Sequence, residues 1–136
     1  MGVKRVIMRY ILLVAALLIN LSAFDWPSDY EEALDKAKKE KKDVYLFIGS
    51  AYCRYCEKLK TELFSKKEVL DRLQKDYVLL YMSRDIDDIP SRFEVKPVPR
   101  HYFLTSEGKI IYTTIGSRSV EGFYELLDEV KEAKQF

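Results

Sequence analysis

Ser50–Ala51–Tyr52–Cys53–Arg54–Tyr55–Cys56 holds both cysteines of the 136-residue chain, spaced C-x-x-C. It follows an apolar run, Val44–Ile48, that reads as a buried strand, and it opens a helical pattern in which Cys56, Leu59 and Leu63 share one face. A strand that ends at a cysteine on the first turn of a helix is also a chemical arrangement. Free amide groups and the helix dipole at that terminus stabilise a thiolate at Cys53. Cys56, one turn on, is close enough to close a disulfide with it. The stretch reads as a redox-active dithiol.

Three plainer readings compete with it. Half of a zinc site is one, but a structural zinc takes four ligands, and the rest of the chain adds no cysteine and a single histidine, His101. An inert structural disulfide is another; a bridge closing so short a loop removes little chain entropy. Two buried core thiols are the third, and the polar and aromatic neighbours Ser50, Tyr52, Arg54 and Tyr55 look instead like an exposed turn. C-x-x-C beside a strand–helix pattern is a recognised redox signal.

Outward from this stretch the chain has the length of one domain. A hydrophobic content of 48% with 33% charged residues is ordinary for a globular protein, and the net charge of +1, without a basic patch, argues against nucleic acid as a partner. Residues 1–23 stand apart. Lys4, Arg5 and Arg9 precede the apolar stretch Tyr10–Ile19, which ends in Asn20–Leu21–Ser22–Ala23. That is the layout of a secretory signal peptide, and its apolar part is short beside the ~20 residues of a membrane span. Leu21 occupies a place where a small residue is preferred before cleavage, so retention as an N-terminal anchor is the alternative. In both cases residues 24–136 form an exported domain, expected in the periplasm, with membrane contact only through a retained anchor. Outside the cytosol a thiol pair oxidises unless something reduces it, which suits a dithiol kept for chemistry.

Ser28–Asp29–Tyr30–Glu31 has the form of a capping box, and Tyr30, Ala33, Leu34 and Ala37 then mark one helical face. Val44–Ile48 is apolar on both faces and belongs in the middle of a sheet. After the C-x-x-C helix, Ser65–Lys66–Lys67–Glu68 reads as a second capping box, and Tyr77–Met82 as another strand. Asp85, Asp87 and Asp88 lack the glycine and terminal glutamate of a calcium loop and read as a solvated turn. Pro90, Pro97 and Pro99 punctuate the next segment. Arg100–Leu104 and Ile110–Ile115 form a hairpin around Thr105–Gly108, Gly116 ends it, and a helix from near Ser119 carries Phe123, Leu126, Leu127 and Val130 inward. The order is α-β-α-α-β-loop-β-β-α, an α/β domain without internal repeats.

This order, with C-x-x-C opening the helix after the first central strand, resembles the thioredoxin-like fold, a mixed central sheet flanked by helices. Val95–Lys96–Pro97–Val98–Pro99 before a strand resembles the segment where that family carries an apolar residue and a cis-proline facing the dithiol. The resemblance implies that role for Val98 and Pro99, and for Gly116 the role of the glycine closing the same surface. It extends over about residues 28–134. Cytosolic thioredoxins have Trp before the first cysteine and Gly-Pro between the two; here stand Tyr52 and Arg54–Tyr55. Their buried aspartate, six residues before the first cysteine, is Phe47 here. The longer hairpin turn and the helix after Tyr30 look more like exported bacterial members, the SoxW-like and periplasmic disulfide-reductase groups.

The resemblance implies a thiol–disulfide oxidoreductase acting on exported proteins or on a partner dithiol protein, with Cys53 as nucleophile and Cys56 as resolving thiol. It implies no metal, nucleotide or flavin. Tyr52, Arg54, Tyr55, Val98, Pro99, Arg100 and Gly116 would form the substrate groove, and Arg54, Arg100 or both would set positive charge near the Cys53 sulfur. Strand alternation then turns His101 away from the dithiol if Arg100 faces it. A non-catalytic peptide-binding module with the same groove is the alternative function.

Overall fold

The computed structural model describes residues 2–17 and 24–136. Gly2–Leu17 is helical (α1), and no helix among the described residues is long and apolar enough to cross a membrane. The expected end of the leading segment, at Asn20–Ala23, lies outside the described residues.

The remaining elements are α2 (Tyr30–Glu40), β1 (Asp43–Gly49), α3 (Arg54–Lys58), α4 (Lys67–Asp76), β2 (Tyr77–Ser83), β3 (Arg100–Leu104), β4 (Ile110–Ile115) and α5 (Val120–Ala133). The sheet order is β2-β1-β3-β4, with β1 parallel to β2 and antiparallel to β3, and β3 antiparallel to β4. The apolar run of β1 thus lies between two neighbours, as a strand buried on both faces must.

Alternation along β1 divides the core in two. Tyr45 and Phe47 face one side with His101 and Phe103 of β3, beneath Cys56, Leu59, Leu63, Val69, Leu73, Phe123, Leu126 and Val130 from α3 to α5. Val44, Leu46 and Ile48 face the other, with Tyr102 and Leu104, against Ala33, Leu34 and Ala37 of α2 and Phe93. On the β2 side the chain before α2 closes the sheet. Tyr81 donates its N–H to Pro27 O (3.0 Å), and Phe24 packs on Trp26 and Tyr81 at 5.0 and 5.3 Å between ring centres.

Two expected caps are displaced. Helix α2 starts at Tyr30, so its cap is Asp29, whose Oδ1 accepts the Glu32 N–H (2.9 Å); Ser28 lies one residue too early. A carboxylate there also meets the positive end of the helix dipole. Ser65 does not cap α4. The helix α3 continues into a π-helical turn, Leu59–Leu63, and Ser65 Oγ donates back to Thr61 O of that turn. Lys66 takes the cap position without a side-chain bond.

Phe47 is fully buried among Phe24, Phe64, Tyr81 and His101. Phe47→Ala leaves a cavity under the C-x-x-C helix and is expected to cost about 3–5 kcal/mol in urea unfolding at an unchanged m-value. A loss below about 1 kcal/mol would show that this side of the core does not depend on the ring.

Candidate functional site

Strand β1 delivers the chain to the dithiol. Its last residue, Gly49, lies against Tyr81, whose hydroxyl and ring would come within 3.0 Å of a β-carbon there. Ser50 follows, buried, and its Oγ donates to Asp85 Oδ2 at 2.6 Å, while the Ala51 N–H reaches the same oxygen at 2.8 Å. These two donors, Ser50 first, hold the Asp85 carboxyl below the ordinary carboxylate range. Asp87 Oδ2 accepts the Ser83 N–H (2.7 Å). The acidic loop after β2 thus fastens the turn that leads into the cysteines. Nothing in the local sequence marks this role for Asp85, because its partners lie 34 and 35 residues away.

Cys53 is the N-cap of α3. Its backbone is extended, and its Sγ accepts the Cys56 N–H at 3.1 Å. The two cysteines are joined in a disulfide with their Cα atoms 5.2 Å apart. Access separates them: Cys53 is 9% exposed and Cys56 is sealed at 0%. Cys53 is thus the cysteine that keeps some accessible surface, and its sulfur is the one receiving an amide proton. Tyr52 (97% exposed) and Tyr55 (58%) stand on either side, with Arg54 exposed between the cysteines.

At the same end of the sheet the Val98–Pro99 peptide is cis, as is Lys96–Pro97. Pro99 is buried and Val98 half-buried, packed against both halves of the core. The Gly116 N–H donates to Pro99 O at 2.9 Å, and Gly116 has φ +104°, in the region that favours glycine.

The two residues after Pro99 face opposite to the expectation. Arg100 pairs with Ile48 and goes to the α2 side, where its guanidinium meets Glu94 (3.1 Å) and Lys96 O (3.2 Å). Its charge is met there, on the face away from the C-x-x-C helix. His101 pairs with Phe47 and lies fully buried on the face that carries the cysteines. The reason is register: Ile48 and Phe47 decide which side of the sheet each β3 residue takes.

His101 Nε2 lies 2.8 Å from Gly116 O and Nδ1 2.6 Å from the Tyr45 hydroxyl. A carbonyl only accepts, so Nε2 carries the proton, and Tyr45 donates to Nδ1. Burial holds the imidazole neutral and pushes its pKa down from 6.5 to about 4; Gly116 O opposes the shift and the Arg118 charge adds to it. Burial also pushes the Tyr45 hydroxyl well up, so both partners are neutral at pH 7.

A histidine protonated in the unfolded chain but not in the folded one removes stability as pH falls from about 6.5 to about 4, the window set by these two values. Between pH 7 and 4.5 the contribution is roughly 2–3 kcal/mol. Urea unfolding at both pH values should show this loss in the wild type and a clearly smaller one in the double variant Tyr45→Phe/His101→Leu, which removes both sides of the Tyr45–His101 hydrogen bond together. Equal losses in the two proteins would contradict the assignment.

Comparison with known proteins agrees with this architecture. A sequence profile described as thioredoxin-like matches residues 25–106. Spermatogenesis-associated protein 20 of Homo sapiens is 33% identical over 73 residues, 51% of this chain but only 9% of that protein's length. Protein disulfide-isomerase of Triticum aestivum is 28% identical over 101 residues, 74% of this chain and 19% of that enzyme. Among solved structures, a candidate disulphide-isomerase from Bacteroides thetaiotaomicron superimposes with a TM-score of 0.65 at 26% identity, covering 82% of this chain and 91% of that one. With its strand order, its C-x-x-C helix and a profile match over more than half its length, the chain belongs to the thioredoxin-like family.

Proposed function

We propose that this protein is a thiol–disulfide oxidoreductase in which Cys53 exchanges with substrate and Cys56 resolves. The observation that carries the reading is the inequality of the two cysteines: Cys53 on a helix N-cap with 9% of its surface accessible, Cys56 fully buried one turn on. In the reduced protein the amide of Cys56 and the helix terminus favour the Cys53 thiolate. That thiolate attacks one sulfur of a substrate disulfide, forming a Cys53–substrate bond and releasing the other substrate sulfur as a thiolate. The Cys56 thiol passes its proton to the released substrate thiolate or to water, and the thiolate so formed attacks the Cys53 sulfur, expels the second substrate thiolate and closes the Cys53–Cys56 disulfide. Two electrons pass to the substrate; run backwards, the same steps oxidise a substrate dithiol. Isomerisation, the activity in the names of the wheat and Bacteroides relatives, uses the same exchange.

Tyr52 and Tyr55 offer apolar contact on either side of Cys53, Arg54 a charge, and the Val98–Pro99 edge with Gly116 a backbone surface across from them. Arg100 adds its main chain to that edge, since its side chain is engaged with Glu94. Substrate proteins or a partner dithiol protein supply or take the electrons, and no cofactor enters the cycle. The Lys4–Ala23 layout supports residues 1–23 as an export signal or anchor and residues 24–136 as the exported, periplasmic domain.

Trapping tests the assignment. Cys56→Ser should accumulate mixed disulfides with substrate proteins, and Cys53→Ser should accumulate none. Equal or better trapping by Cys53→Ser would reverse the roles, and no trapping by either variant would favour a binding module.

A further inference from the structure

The oxidoreductase reading uses the Val98–Pro99 edge and Gly116 but leaves His101 without a task. A fully buried, hydrogen-bonded histidine between Tyr45 and a loop carbonyl is an unusual content for a sheet interior, where an apolar residue would need no partners. Its two bonds point in different directions. Nδ1 is held by Tyr45, on the central strand, ringed by Trp26, Phe64, Phe103 and Phe123. Nε2 reaches outward to Gly116 O, and the N–H of the same glycine holds Pro99 O.

Gly116 needs such a tie. Its φ of +104° comes from glycine's freedom, and nothing lies within 4 Å of where a β-carbon would stand, so no side-chain packing fixes it. Its peptide is held instead by two hydrogen bonds, one from His101 and one to Pro99. The imidazole also cannot turn freely. It lies parallel to Phe47 (6.1 Å, 14°) and against Phe123 on its other flank (6.5 Å). Among the described residues the charged group acting on it is Arg118, whose guanidinium donates to Thr114.

We propose that His101 is a positioning residue for the substrate-facing edge: anchored by Tyr45, its Nε2–H fixes the Gly116 carbonyl and through it the Pro99 loop opposite Cys53. This rests on the reading of that edge as the place where a protein substrate lies. The clamp does not touch the sulfurs, so it acts on the binding of an extended chain and leaves thiol exchange with a small molecule alone.

The test compares the full-length wild type with His101→Leu and His101→Gln, using insulin as the protein disulfide and glutathione as the small one. In His101→Leu the KM for insulin should rise roughly three- to tenfold, the weight of one hydrogen bond, with kcat and the glutathione equilibrium constant changed less than about twofold. His101→Gln keeps an amide N–H at the position of Nε2 and should restore most of the lost KM. Gly116 N–H exchange with solvent should quicken by the same factor in His101→Leu and return in His101→Gln. An unchanged KM and Gly116 exchange in His101→Leu, or a glutamine variant no better than the leucine, would overturn the proposal. If the wild type does not turn over insulin, the oxidoreductase reading fails on its own, and Gly116 exchange still decides the clamp. If His101→Leu does not fold, Tyr45→Phe, which frees the imidazole from its anchor, must quicken Gly116 exchange; an unaltered rate would refute the clamp.

Discussion

Strand β1 is buried on both faces, and the remaining elements take their places from that constraint. A strand with no polar face needs a neighbour along each edge and a layer over each side. β2 and β3 supply the neighbours, α2 one layer, and α3, α4 and α5 the other. The strand must also end somewhere, and it ends at Gly49–Ser50, where the backbone leaves the sheet and turns into α3. The dithiol sits at that exit. Cys53 is therefore held between a rigid strand behind and a helix terminus ahead, which is how a reactive group is given a fixed position.

Most polar groups at this end of the molecule are answered, the exceptions being the buried Nε atoms of Arg100 and Arg118. Asp85 accepts from Ser50 and Ala51, Arg100 is matched by Glu94 and a carbonyl, and His101 is satisfied on both nitrogens. Desolvation makes these arrangements demanding, since a buried polar group left without a partner costs more than a made bond returns. The result is a stiff frame around a disulfide that is itself only one helical turn long. The frame also sets the local charge: Arg100 is neutralised on the far face, the histidine is neutral, and Phe47 puts no carboxylate beneath the helix. The N-cap position of Cys53, whose Sγ accepts the Cys56 N–H, is then the local feature that favours a thiolate there.

Much of this was legible in the residues. Apolar runs and their order specify the sheet and its central strand, and C-x-x-C after such a run specifies the chemistry. What the sequence left open has a common cause. Alternation in Arg100–Leu104 gives a period of two but no phase, and only pairing with Phe47 and Ile48 decides that His101 goes under the C-x-x-C helix and Arg100 away from it. The caps at Ser28 and Ser65 were displaced by neighbours of similar chemistry, Asp29 in one case and a π-helical turn in the other. Asp85 meets Ser50 across 35 residues, a contact with no local signature.

The central claim is that Cys53–Cys56 is a working couple and not a staple. Equilibrating the full-length protein with glutathione buffers, and counting free thiols by alkylation, tests it most directly. The account predicts one reversible two-electron transition at a potential above about −300 mV, with the fold retained in the reduced state. A bridge that stays closed throughout the glutathione range, or opens only when the protein unfolds, would contradict it.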